Sequence, residues 1–172
     1  MLSPSLFTES DTCKPTNWLT TKGSYRCGVT RCGTCHYMRP SKHFKGRSNQ
    51  RTYNINFYAN WGTSNIIYLI TCECGLQYVG KTTRPFRKHF SKHLSCVTRF
   101  DLSSAAAKHL IECHNNRLCI TTQIIDRVIT GIRKGDTEIP LLRKEAFCSH
   151  KLNTIKPYGL NREWELSCYI DS

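Results

Sequence analysis

Cysteine and histidine side chains occur in paired spacings that suit a metal ion. Cys72 and Cys74 form a C-x-C pair in a predicted turn, and His109 and His114 form an H-x4-H pair at the end of a predicted helix. Thiolate sulfur and imidazole nitrogen are the usual ligands of structural zinc. The spacing predicts a zinc site from these four residues, with Cys113 as an alternative ligand. The opposing interpretation makes Cys72 and Cys74 small core residues at a strand end.

A second cysteine cluster lies upstream in the spacing C-x4-C-x2-C. It consists of Cys27, Cys32 and Cys35. A glycine inside the C-x-x-C pair is typical of a zinc knuckle, so we predict a second zinc site here. The fourth ligand stays open between three residues: His36, His43 and Cys13. A thioredoxin-like redox site is the weaker alternative, because no strand–helix–strand pattern surrounds the pair.

Basic side chains are concentrated in the first part of the chain. From Arg26 to Arg99 there are thirteen Lys and Arg residues and a single acid, Glu73. Such a field of one sign is expected of a protein that binds the phosphate backbone of DNA. The residues predicted to contact nucleic acid are Lys81, Arg84, Arg87, Lys88 and Lys92. The alternatives are a solvated basic face and an anionic membrane surface, but the chain lacks a basic amphipathic helix with a large apolar face.

The elements that position these residues can be predicted from apolar patterns. Residues 66–70 form a buried strand, residues 72–75 a turn and residues 76–79 a second strand, which together make a hairpin. A helix follows, with Thr83 as its cap and Pro85 in its first turn. A second helix over 103–112, a third strand over 119–128 and a third helix from Asp136 or Thr137 complete the order. Ile139, Leu142 and Ala146 lie on one side of the third helix.

The two strands of the hairpin carry a recognisable pattern. The strings Asn65–Cys72 and Cys74–Pro85, with the upstream cysteine cluster and the closing Pro157–Asn161, resemble the GIY-YIG nuclease family, in particular the endonuclease domain of Penelope-like retroelements. The resemblance spans about residues 25 to 162. One departure is Ile66, which stands where the first motif has glycine.

The resemblance implies a fold, an activity and a set of site residues. The fold is α+β: a small three-stranded antiparallel sheet flanked by helices, here with an N-terminal cysteine-rich, zinc-knuckle-like extension. The activity is hydrolysis of DNA phosphodiester bonds with one divalent ion, Mg²⁺ or Mn²⁺, in the nucleus. The implied catalytic residues are Tyr68, Tyr78, His93, Glu145 and Asn161, with Glu145 holding the metal. Without the resemblance, the tyrosines would be ordinary strand aromatics and Glu145 a surface partner of Lys151.

The catalytic arginine implied by the resemblance falls at His89. An arginine supplies a permanent charge and a planar fork, whereas imidazole is mostly neutral at pH 7. Lys92 lies on nearly the same helix face and could compensate in part, while Arg87 points elsewhere. His89 and His93 also form an H-x3-H pair, which offers zinc as an alternative role.

Length and composition set the remaining limits. The chain has 172 residues, 11 cysteines and a net charge of +13. We expect a lead-in over 1–24, a basic cysteine-rich extension over 25–60, a nuclease-like domain over 61–165 and a tail over 166–172. We expect no secretory signal or membrane span, and therefore reduced or metal-bound cysteines in an intracellular protein. The absence of a polymerase ahead of the nuclease-like region suggests a stand-alone, truncated or co-opted retroelement copy.

Two functions follow from these features. The first is a metal-dependent, DNA-nicking endonuclease. The second is a catalytically impaired, zinc-containing nucleic-acid-binding module, which His89 and the missing polymerase favour.

Overall fold

The fold is built around a three-stranded antiparallel sheet, in which Ile66–Cys72 lies between Gln77–Thr82 and Ile120–Arg127. The computed structural model of the chain describes residues 21–131 and 136–162. The strands are β1 (Gly23–Ser24), β2 (His43–Lys45), β3 (Thr52–Asn54), β4 (Tyr58–Ala59), β5 (Ile66–Cys72), β6 (Gln77–Thr82) and β7 (Ile120–Arg127). The α-helices are α1 (Phe86–Thr98), α2 (Ala105–His114) and α3 (Glu138–Leu152). The predicted α+β class is confirmed.

The central hairpin fixes which side chains share a face. In the antiparallel pairing of β5 with β6, Tyr68 lies opposite Gly80 and Ile70 lies opposite Tyr78. Because side chains alternate along a strand, both tyrosines project to the same side of the sheet. The third strand, β7, pairs with the other edge of β5, with a register shift next to Tyr68.

The sheet separates two hydrophobic clusters. On the side of Tyr68, the buried residues include Phe86 and Phe90 of α1 and Leu110 of α2. On the opposite side, Ile67 packs in a cluster with Leu141 and other residues of α3. The sheet is therefore covered on both faces, which explains why β5 is a continuous apolar run.

Residues of the cysteine-rich extension enter the same core as the sheet. Met38 and Tyr37 belong to the cluster on the α1 side. The backbone amide of Arg39 donates to the carbonyl oxygen of Thr122 on β7, at 3.0 Å. Ser24, placed in the lead-in by the sequence, is fully buried in β1. Residues 1–20 and the predicted tail lie outside the described residues.

The prediction that Thr83 caps the first helix is wrong. Pro85 occupies the cap position, and no side chain caps the helix there. The first helical amides are satisfied instead by backbone: Phe86 donates to the carbonyl of Thr63 and Arg87 donates to that of Trp61. Backbone carbonyls from a loop more than twenty residues earlier in the chain therefore replace a side-chain cap.

The predicted apolar face of the third helix is also wrong in part. Ile139 is 48% exposed, whereas Leu141, Ala146 and Leu152 are buried. The sheet meets a different side of α3 from the one indicated by helical spacing. Three cysteines outside the two candidate metal-ligand groups are buried: Cys96, Cys119 and Cys148. Cys168 lies outside the described residues.

None of the helices in the described ranges combines the length and the apolar character needed to cross a membrane.

Candidate active site and metal centre

The hydroxyl of Tyr68 lies between two imidazoles of α1. Its oxygen is 2.9 Å from Nε2 of His89 and 2.8 Å from Nε2 of His93. The H-x3-H spacing places both rings on one face of the helix, directly over β5. Tyr68 is 1% exposed, whereas His89 and His93 are half-buried.

The second nitrogen of His93 is also held. Nδ1 of His93 lies 2.8 Å from Oγ of Ser104, the residue that precedes α2. The same Oγ accepts a hydrogen bond from the backbone amide of Ala107, as an N-cap does. His93 is therefore fixed at both ends, by β5 on one side and by the start of α2 on the other.

Burial keeps the triad uncharged. Burial lowers the pKa of His93 to about 3, with His89 and Lys92 adding to the effect. Burial also lowers the pKa of His89 to about 4, assisted by the charges of Lys92, Arg84 and Lys81. The pKa of the Tyr68 hydroxyl is raised well above its usual value, first by burial and then by the charges of Tyr78 and Glu145. At neutral pH, His89 does not supply the positive charge of an arginine.

Gly80 lets Tyr68 occupy this position. A Cβ atom at residue 80 would lie 2.4 Å from the Tyr68 hydroxyl oxygen and 2.8 Å from the Tyr78 ring. These distances are shorter than any real contact, so a side chain here would displace the Tyr68 ring. The glycine in the second tyrosine motif is therefore a packing requirement of the site.

Five of the six predicted catalytic residues converge on one open cavity of about 310 Å³. Its lining includes Tyr68, Tyr78, His89, His93 and Glu145. Glu145 reaches it from α3, whose other side packs beneath the sheet. Two cationic side chains, Lys81 and Arg162, also line the cavity. Lys81 is paired with Glu138.

Asn161 lies at the edge of β6, against the backbone of Val79, apart from these five residues. It is 4% exposed, and its amide bonds the backbone of Val79 twice: Nδ2 donates to the carbonyl at 2.7 Å, and Oδ1 accepts from the amide at 2.9 Å. Thr154 donates a third bond to Oδ1 at 2.8 Å. In the described structure Asn161 is absent from the cavity lining and instead satisfies the outer edge of β6 beside Tyr78.

The C-x-C and H-x4-H pairs meet in one group that could hold a metal ion. The four ligand atoms of Cys72, Cys74, His109 and His114 lie within 4.8 Å of one another. Each sulfur is 3.3 Å from one imidazole Nε2: Cys72 from that of His114, and Cys74 from that of His109. The two Nε2 atoms are 3.2 Å apart. The exposed Cys113, the alternative ligand, is not in the group.

These distances fit a tetrahedral ion. Bonds of about 2.0 Å to nitrogen and 2.3 Å to sulfur hold neighbouring donor atoms roughly 3.3–3.8 Å apart. The donor set of two sulfurs and two nitrogens is that of structural zinc sites. The site ties the turn after β5 to the end of α2.

The upstream cysteines form a second group that could hold a metal ion. The sulfurs of Cys27, Cys32 and Cys35 lie within 4.8 Å of one another, and those of Cys27 and Cys35 are 3.2 Å apart. Within the described ranges, neither His36 nor His43 joins this group. The third candidate, Cys13, lies outside the described residues.

The predicted nucleic-acid-binding residues lie at the end of β6, in the loop after it and along α1. Four of them are exposed: Arg84, Arg87, Lys88 and Lys92. Lys81 is half-buried in the cavity wall. Of these five cations, Lys81 lines the cavity that holds the tyrosines, and Lys92 lines a second cavity together with His89 and His93.

Two residues of the cavity lining, Ser104 and Arg162, were not predicted as site residues from the sequence. Ser104 carries the signal of a helix N-cap, but nothing in the sequence connects it to His93. Arg162 directly follows the segment Pro157–Asn161, and no motif or spacing in the sequence marks it as a site residue. Both are brought to the site by segments remote from the hairpin.

Comparison of the chain with protein-family models, with curated proteins and with solved structures finds no match.

Proposed function

We propose that this chain is a metal-dependent endonuclease that hydrolyses DNA phosphodiester bonds and nicks duplex DNA. The observation that carries the proposal is the convergence of two tyrosines, two histidines and one glutamate on a single cavity of about 310 Å³. The resemblance to GIY-YIG nucleases assigns catalytic roles to these same positions. The cations Lys81 and Arg162 of the cavity lining, and the exposed Lys92 beside His89 and His93, suit a phosphate backbone as substrate.

Hydrolysis requires a base for the attacking water. The Tyr68 hydroxyl can accept a proton from water while it passes its own proton to an adjacent imidazole Nε2, 2.8 or 2.9 Å away. The neutral imidazoles are available as acceptors. An arriving phosphate brings negative charge, which favours the protonated form of a nearby imidazole.

Glu145 would hold the divalent ion. Mg²⁺ prefers oxygen ligands and keeps several waters, so a single carboxylate in an open cavity fits its needs. When bound, the ion polarises the phosphate and neutralises charge on the leaving oxygen.

Arg162 is the cation that we assign to the phosphate in place of the arginine replaced by His89. It lines the same cavity as both tyrosines and both histidines. A guanidinium can grip two phosphate oxygens, which an imidazole cannot.

The first test is plasmid nicking by a Glu145→Ala variant. Wild-type protein with Mg²⁺ or Mn²⁺ should convert supercoiled plasmid to open circle, and Glu145→Ala should abolish the conversion. Glu112→Ala is the matched control, because Glu112 is an exposed helix residue whose carboxylate contacts Lys108. Equal activity of the Glu145→Ala variant and the control would refute the site.

A second test addresses Arg162. Removing one stabilising donor typically costs on the order of 10²–10³ in rate. We expect Arg162→Ala to reduce nicking by about this factor. Arg117→Ala, at an exposed position where the guanidinium pairs with Glu73, should change it little. Unchanged nicking by Arg162→Ala would show that the phosphate is contacted by another cation.

We also propose that the ion held by Cys72, Cys74, His109 and His114 is a structural zinc. The donor types and their separations support this choice, and all four ligand positions come from the protein, which leaves no open position for substrate. We extend the proposal of zinc to Cys27, Cys32 and Cys35.

A catalytically impaired DNA-binding module is the second candidate function. The observation that favours it is the lowered pKa of His89, about 4, because this residue then carries no charge where an arginine is expected. This function predicts affinity for DNA that falls steeply with salt, with no metal-dependent product. Cleavage that disappears in Glu145→Ala would exclude it.

A further inference from the structure

The Tyr68 hydroxyl has a single proton to share among its neighbours. Its oxygen contacts Nε2 of His89 and Nε2 of His93, and a hydroxyl donates one hydrogen bond and accepts up to two. When one Nε2 accepts the Tyr68 proton, the other must carry its own proton and donate. The two neutral rings are then different tautomers.

The surroundings of His89 indicate which ring donates. The positive charges of Lys92, Arg84 and Lys81 act on His89, whereas of these three only Lys92 acts on His93. Nearby cations favour an unprotonated Nδ1 on His89, and its proton then lies on Nε2 and points to Tyr68. That arrangement leaves Nε2 of His93 to accept the Tyr68 proton.

Ser104 completes this arrangement. Its Oγ lies 2.8 Å from Nδ1 of His93, where the ring proton must be if Nε2 is an acceptor. The oxygen is held in place because it also accepts from the amide of Ala107 at the start of α2. Helix capping alone explains the contact with Ala107, but it does not explain the contact with His93.

We propose that Ser104 is a positioning residue that accepts the Nδ1 proton of His93 and so keeps Nε2 of His93 ready to take the proton of Tyr68. The catalytic consequence rests on the proposed nuclease function, whereas the tautomer does not. In the proton transfer, water gives a proton to the Tyr68 oxygen as the Tyr68 proton moves to His93. The product is a hydroxide at the phosphate and an imidazolium that donates to both Tyr68 and Ser104.

The decisive experiment is a histidine nitrogen-15 NMR spectrum of the full zinc-loaded chain at pH 7. The His93 signals are assigned with a His93→Gln variant. We expect the Nδ1–H tautomer in wild type, a shift towards Nε2–H in Ser104→Gly, and the wild-type tautomer in Ser104→Thr. Glycine is chosen because it is nearly as good an N-cap as serine, so α2 is retained while the hydroxyl is lost. Ser103→Ala is the matched control, since Ser103 lines the same cavity.

The outcomes separate this proposal from the nuclease itself. An Nε2–H tautomer in wild type, or an unchanged tautomer in Ser104→Gly, would overturn the role of Ser104 whatever the protein cleaves. If the protein nicks DNA, Ser104→Gly should lower kcat by about 10-fold or more with KM little changed, because base catalysis is weakened. Equal kcat in Ser104→Gly and wild type would overturn the catalytic consequence. The expected tautomers without any nicking would support the positioning role and reject only the nuclease.

Discussion

At the scale of single residues, one added methyl group at Gly80 would act directly on Tyr68. The Cβ of an alanine would lie 2.4 Å from the Tyr68 hydroxyl oxygen, which is bonded to both histidines. We expect Gly80→Ala to displace Tyr68 and to reduce nicking on the order of 10²-fold, as small misplacements of reacting groups do. A plasmid nicking assay measures the loss.

Gly131→Ala provides the matched control for this change, because a Cβ there meets nothing within 4 Å. It should leave nicking unchanged. Full activity in Gly80→Ala would show that the Tyr68 position is not needed for cleavage.

The two half-buried histidines of α1 predict a specific sensitivity to acid. Both imidazoles have lowered pKa values in the folded chain, about 4 for His89 and about 3 for His93, whereas an unfolded histidine titrates near pH 6.5. Below about pH 6.5 the unfolded chain binds protons that the folded chain does not. The free energy of unfolding should therefore fall as the pH decreases from about 6.5 towards 4.

Denaturant titrations of His93→Gln and wild type between pH 7.5 and 4 measure this contribution. The variant should show a smaller loss of stability with falling pH. The comparison between proteins is needed because acid also protonates metal ligands such as His109. His150→Gln, at an exposed position of α3, should behave as wild type. Identical pH dependence in His93→Gln and wild type would contradict the buried neutral imidazole.

At the scale of elements, the loop after α3 closes the free edge of β6. Asn161 bonds both backbone groups of Val79, and the amide of Leu160 donates to the carbonyl of Gln77 at 2.9 Å. Since an edge strand otherwise exposes such groups, the loop acts as a partial fourth strand. It holds the strand that carries Tyr78.

Asn161→Ala should therefore act first on stability. It leaves two buried backbone groups of Val79 unpaired, each at a cost of about 1–3 kcal/mol. Denaturant unfolding measures the loss, and Asn56→Ala, at an exposed position, should cost little. Full stability combined with lost nicking would instead place Asn161 in the chemistry.

The elements that the sequence predicts well are those with strong local patterns. The apolar run 66–70 predicts a strand and the segment after Cys72 predicts a turn, and no neighbouring pattern conflicts with either. Both appear in the structure, as β5 and as the turn of the hairpin. The short strands β1 to β4 were not predicted, because each has only two or three residues and is stabilised by distant partners. The cap at Thr83 failed for the same reason, since carbonyls of residues 61 and 63 satisfy the helix start.

At the scale of the whole molecule, one group that could hold a metal ion connects the sheet to α2. Its members are Cys72, Cys74, His109 and His114. It joins the turn after β5 to the end of α2, and the start of α2 holds His93 through Ser104. Loss of the ion should loosen α2 and with it the active-site histidine. Structure and activity are therefore expected to depend together on this ion.

Cys74→Ser tests that dependence. The variant should lose the zinc of this site by elemental analysis, and its Tm should fall, because metal binding contributes to folding free energy. Cys113→Ser is the matched control: Cys113 is an exposed cysteine next to His114 but outside the ligand group, so zinc content and Tm should not change. Zinc loss in both variants would place Cys113 in the site. Zinc retained in Cys74→Ser would remove Cys74 from it.

The candidate metal ligands could be predicted from spacing, but the candidate active site could not. The pairs around Cys72 and His109 are recognisable in the local sequence. Glu145, in contrast, is an ordinary helix acid until α3 packs beside β6, and only the resemblance pointed to it. Ser104 and Arg162 enter through packing of α2 and of the closing segment, which no local pattern specifies.

The most direct test of the central claim is a comparison of nicking by the wild-type chain and by His89→Arg in the presence of Mn²⁺. If Arg162 supplies the phosphate contact and the Tyr68–His93 pair the base, wild-type protein should convert supercoiled plasmid to open circle, and Glu145→Ala should not. No conversion by wild type, together with conversion by His89→Arg, would contradict the account, because it would show that the fold is competent but this chain is not a nuclease.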